Sequence, residues 1–145
     1  MVKLSAFTLV EMLLIIAIMG VIVGLSAPVV RLSQISNNLD LAALTTTQAI
    51  KRAQLLSMAV AEDSNWGLNA GTSSLIIFKG ANFATRDINF DEVWDMPSGT
   101  SVTSTASIVF NKTRGDCITP GQLFVSSVNN ATKILVINSK GTVEY

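Results

Sequence analysis

Residues 6–20 read Ala6-Phe7-Thr8-Leu9-Val10-Glu11-Met12-Leu13-Leu14-Ile15-Ile16-Ala17-Ile18-Met19-Gly20. A single carboxylate, Glu11, stands in a run that is otherwise of membrane grade. An acidic residue at the centre of a membrane helix costs about 2.5–3.5 kcal/mol on insertion scales, so such a residue reads as functional by default. The charge-free run goes on from Met12 to Val30, 19 residues. As a helix it would span roughly 28 Å, close to a bilayer core of about 30 Å. Lys3 precedes the run and Arg31 closes it. The lone basic residue on the N-terminal side predicts insertion with the N-terminus in the cytoplasm.

The rest of the composition mostly excludes. The chain has 145 residues, 49% hydrophobic and 14% charged, with 10 basic and 10 acidic side chains. That suits one domain plus an anchor and offers no basic surface for nucleic acid. Histidine is absent, which removes the commonest general base and metal ligand. Cys117 is the only cysteine, so no disulfide forms within the chain; burial is expected for it. No nucleophile–base pair, phosphate loop or zinc spacing occurs. An enzyme, a cofactor and a metal are therefore not expected.

Three readings compete for the N-terminus. An ordinary cleaved signal has an apolar region of 7–15 residues and a small-residue cleavage site. Here the run is longer, and the one candidate site, Leu25-Ser26-Ala27, is followed by Pro28. A plain signal anchor would leave Glu11 at the inner interface. The third reading rests on Ala6-Phe7-Thr8-Leu9-Val10-Glu11, which resembles the prepilin processing site of the type IV pilin superfamily. Gly20 and Pro28 also fall where that family's helix usually has a glycine and a proline.

The resemblance implies cleavage by a prepilin peptidase between Ala6 and Phe7, with N-methylation of Phe7. Ala6 departs from the usual glycine but is still small. The apolar helix would stay on the mature chain and build a filament with copies of itself and other pilins or pseudopilins, at an inner-membrane assembly platform. Lipid would surround it before assembly. Cleavage leaves a positive amine on Phe7, and a buried unpaired charge is far more costly than a paired one. Glu11 of a neighbouring subunit would neutralise it and set the axial register. Gly20 would allow close helix approach. Pro28 removes a backbone hydrogen bond, which should kink or locally melt the helix.

A helical pattern continues past Arg31. Leu32, Ile35, Leu39, Ala42, Ala43, Ile50, Ala53 and Val60 form an apolar stripe, while Gln34, Asn38, Thr45, Gln48 and Arg52 line another side. This predicts an amphipathic helix facing a core. Thr45, Thr46 and Thr47 should weaken it, and it should end near 61–63. From Thr8 such a helix would be about 80 Å long, more than a domain of this size can cover.

Beyond Gly67, short β-type runs alternate with Gly, Asn, Ser and Thr. Expected strands cover 75–79, 86–90, 107–110, 122–128, 133–138 and 142–145, with hairpins at 129–132 and 139–141. The predicted fold is α+β: a long N-terminal helix packed on an antiparallel sheet. The division is leader 1–6, membrane or filament-core helix 7–30, amphipathic helix 31–62 and β domain 63–145.

The order Ile108-Val-Phe-Asn, Gly115, Leu123-Phe-Val, Ile134-Leu-Val-Ile, Gly141-Thr-Val resembles the GspH/FimT-like minor pilins and pseudopilins, as does Ala49-Ile50-Lys51-Arg52-Ala53-Gln54. Some of that group bind DNA through basic C-terminal residues. Here only Lys133 and Lys140 are basic after Arg114, so DNA is not expected.

Asp87-Ile88-Asn89-Phe90-Asp91 begins like a calcium loop, but position six is Glu92 and position twelve Ser98, where glycine and glutamate belong. As a strand it would put Ile88 and Phe90 on the core side. Lys51 and Arg52 are expected in salt bridges, and Trp66 and Trp94 in the core or partly buried. The function expected is a filament subunit, a minor pilin or pseudopilin of a secretion system. The alternatives are a major pilin and a non-assembling membrane-anchored binding module.

Overall fold

In a computed structural model the backbone is described for residues 7–144, and the side chains for all of these except 25–30 and 32. The leader residues therefore lie outside the description, as does the Leu32 side chain of the expected stripe. Helix α1 is Leu9–Met58, and a short 3-10 turn follows at Ala61–Asp63. Then come β1 (Trp66–Ala70), β2 (Ser74–Lys79), β3 (Asp87–Asp95), β4 (Thr100–Ser104), β5 (Ile108–Phe110), β6 (Gly121–Ser127), β7 (Thr132–Ile137) and β8 (Val143–Glu144). A second 3-10 turn, Phe83–Thr85, precedes β3. The chain is α+β, with every strand pairing antiparallel. Its contacts fall into two units that part between Gln34 and Ile35.

The second unit holds the core. Residues Leu39, Ala42, Ala49, Ile50 and Ala53 of α1 form one buried core cluster with Trp66, Leu68, Leu75 and Ile77 and with Val102, Leu123, Val125, Leu135 and Ile137. The small alanines let the helix lie close to the strands. Alternation along β6 and β7 places Leu123, Val125, Leu135 and Ile137 inward, as a period of two requires. Thr46 and Thr47 are buried too. Their hydroxyls donate back to the Ala42 and Ala43 carbonyl oxygens at 2.8 and 2.9 Å, so neither enters the core without a partner.

One sheet was expected, and two four-stranded sheets are present, ordered β3-β2-β1-β5 and β4-β6-β7-β8. The two strands that sequence reading missed explain the difference. Strand β1 reads Trp-Gly-Leu-Asn-Ala, and Gly and Asn are poor strand formers. Gly67 serves a packing need: a Cβ there would lie 2.5 Å from Phe78 Cζ and 2.7 Å from the Ile108 carbonyl oxygen. Strand β4 reads Thr-Ser-Val-Thr-Ser and shows only Val102 to the core.

Strand β3 also departs from expectation. It runs to Asp95, and Ile88 is 71% exposed rather than inward, although Phe90 and Trp94 do pack against the core. The cause is a bulge. Lys79 pairs with Asp87 while Ile77 pairs with Glu92, so the register slips within β3. Such a slip reassigns the faces of the residues inside it. Both hairpins stand where expected, with Gly141 (φ 78) in the left-handed region at the second.

Ser57 ties the elements together. Its hydroxyl, fully buried, accepts from the Trp66 N–H at 2.9 Å and donates to the Phe110 carbonyl at 3.2 Å. Its own carbonyl accepts from the Thr113 N–H at 3.0 Å. Cys117 is buried, as expected, and burial pushes its thiol up from the ordinary range.

Candidate assembly helix and its single carboxylate

Phe7 and Thr8 are not helical, and α1 begins at Leu9. Thr8 is the cap. Its Oγ1 accepts from the Glu11 N–H at 3.3 Å, and its carbonyl accepts the first helical bond from Met12 at 3.2 Å. Glu11 is thus the third helical residue, where a carboxylate also complements the positive helix end. The Thr8-x-x-Glu11 spacing is a capping signal that the sequence itself carries.

Glu11 is exposed and has no ion-pair partner among the described residues. The side chains around it are apolar on every side of the helix. From Phe7 to Val23 the large hydrophobic residues are 37% (Ile15) to 77% (Leu9) exposed. A helix apolar all round ordinarily belongs in a core or a membrane. Here nothing in the described chain covers it. Gly20 and Gly24 each face open space, with no atom within 4 Å of where a Cβ would stand. The backbone is helical through Pro28, whose side chain lies outside the description. So do Ala6 and with it one half of the expected cleavage site.

Among the described residues, no helix is long and apolar enough to cross a membrane. The expected span, 7–30, has its last six side chains outside the described set.

Of the pair expected in salt bridges, Arg52 makes one and Lys51, exposed, makes none among the described residues. Arg52 Nη2 lies 2.9 Å from Glu92 Oε1, and this contact holds the guanidinium in its charged form. Arg86 Nε lies 2.9 Å from Asp91 Oδ2, with its guanidinium stacked 3.9 Å from the Phe83 ring centre. Lys112 Nζ lies 2.7 Å from Asp63 Oδ1 and lowers that carboxyl from its usual range. Two members of the acidic stretch 87–95 are thus used by arginines. No group of three or more metal-ligating side chains occurs among the described residues. No family model, curated protein or solved structure matches this chain.

Proposed function

We propose that this chain is a structural subunit of a type IV pilus-like filament, a minor pilin or pseudopilin. It would be made as a precursor, cut between Ala6 and Phe7 by a prepilin peptidase and methylated at Phe7. Residues 7–30 would hold it in the cytoplasmic membrane, N-terminus inside, before it joins the filament at an assembly platform. In this reading residues 9–24 lie among lipids or other copies, while the part of α1 from Leu39 onward belongs to the core of the β domain.

One observation carries the reading: a helical segment apolar on all sides is exposed on all sides, with one carboxylate, Glu11, in its first turn. Apolar surface of that extent needs cover, and identical helices or lipid can give it. The carboxylate needs a cation, and cleavage before Phe7 creates one on the neighbouring copy. The charge pair also gives register to helices that would otherwise slide.

Mass spectrometry of the chain recovered from a host that has the peptidase tests this. The expected mature chain begins at a methylated Phe7. An intact N-terminus with residues 1–6 attached, and no filament fraction, would instead identify a monomeric membrane-anchored binding module. Scarcity in sheared filaments is expected of a minor subunit, and abundance would mark a major pilin.

A further inference from the structure

Strand β3 ends the first sheet, and its outer side is open. The other sheet ends are closed or short. Outside β5, the Ile118 N–H donates to the Val109 carbonyl at 2.7 Å, and Phe110 bridges to Cys117. At β4, the Val102 N–H donates to the Thr72 carbonyl at 3.3 Å. Strand β8 has only two residues. Strand β3 has nine, and among the described residues its backbone pairs with the backbone of β2 alone. An open row of backbone N–H and C=O groups is a template for a further strand. Two apolar side chains along it are exposed, Ile88 at 71% and Val93 at 61%.

We infer that the β3 edge takes up an extended segment of a different protein by strand addition, and that this segment is apolar with a cation near each end. Charge selects the occupant. Strand β3 carries four carboxylates, Asp87, Asp91, Glu92 and Asp95. Arg86 already neutralises Asp91, and Arg52 neutralises Glu92. Asp87 and Asp95, at the two ends and both exposed, have no ion-pair partner among the described residues. Lys79 stands opposite Asp87 in register, but its ammonium turns to Glu62 Oε2 at 3.7 Å and to the Phe90 ring, 4.0 Å from its centre. These charges refuse a second β3. Laid antiparallel over its full length, Asp87 of one copy would face Asp95 of the other. Laid parallel in register, each aspartate would face itself. Like charges directly opposite one another destabilise a sheet, and opposite charges stabilise it. An added strand with cations up to about 26 Å apart meets both aspartates, and aliphatic residues between them reach Val93, which shares a face with Asp95. The inference concerns the β domain and does not depend on assembly of the chain with itself.

The test uses the full-length chain in an uncharged detergent. The probe is a fluorescent peptide as long as β3, alternating valine and threonine, with a lysine at each end. One control peptide has glutamate in place of each lysine. Another has alternate backbone nitrogens methylated, so that it cannot donate to an edge. Fluorescence anisotropy measures binding, and hydrogen exchange read by mass spectrometry locates it. The lysine peptide is expected to bind saturably, more weakly at high salt, and to slow exchange in 87–95 while β6 and β7 are unchanged. Both controls should fail. Asp87→Asn with Asp95→Asn should keep the fold and weaken binding about fivefold or more, since two cross-strand charge pairs are lost. Absence of binding, binding that ignores N-methylation, or protection that spares β3 overturns the inference. So does a double variant that binds as tightly as the parent. None of these outcomes touches cleavage before Phe7, so the filament reading stands or falls separately.

Discussion

Glu11 shows how much one residue can carry. Its backbone N–H completes the Thr8 cap, so its helical position does not depend on its carboxylate. Replacing the side chain should therefore separate structure from assembly. Glu11→Ala is expected to leave helix content and cleavage before Phe7 unchanged while abolishing or strongly reducing filaments, read by gel mobility of the precursor and by electron microscopy of sheared material. Normal filaments from Glu11→Ala would remove the charge-pair account. Gly67 is the opposite case. Its importance comes from the Phe78 ring lying across it, a contact between strands that local sequence does not announce.

Among the elements, α1 meets the sheets through small side chains and a few buried hydroxyls, and these hydroxyls differ in kind. Thr46 bonds only within its own turn, to a carbonyl that already has its helical partner. Ser57 instead joins α1 to β1 and β5. Thr46→Val should change stability by less than about 1 kcal/mol, since the shape stays and no buried group loses its only partner. Ser57→Ala should destabilise by about 1–3 kcal/mol, because the Trp66 N–H and the Phe110 carbonyl both lose a buried partner. Urea unfolding followed by tryptophan fluorescence measures both, and equal effects would refute the distinction. The helical repeat and the strands β2, β6 and β7 were legible because their apolar residues recur at the period of the element. Strand β4 was not, since a single inward valine makes no pattern, and β1 was not, since its glycine and asparagine read as a turn. The bulge in β3 was equally hidden, because register is chosen by the partner strand.

For the whole molecule, the division between Gln34 and Ile35 has a direct consequence. The core residues from Leu39 onward all lie in the second unit, and the uncovered apolar side chains from Phe7 to Val23 lie in the first. A chain starting at Ile35 is therefore expected to be soluble without detergent and to unfold cooperatively, whereas the full chain should need detergent or partners. Analytical ultracentrifugation and thermal unfolding of the two would check this. An insoluble or unfolded 35–145 fragment would mean that the second unit depends on the first.

The sequence by itself determined the contrast between these units. An apolar run with one acidic residue, then a helical stripe, then alternating strands are all local patterns, written in the spacing of side chains. The tertiary structure alone decided that the strands form two sheets, that Ile88 faces solvent and that Ser57 joins three elements. It also decided that Leu41, Leu44, Leu55 and Met58 stay about half exposed. Those outcomes depend on which strand pairs with which and in what register, and so on contacts between residues far apart in the chain.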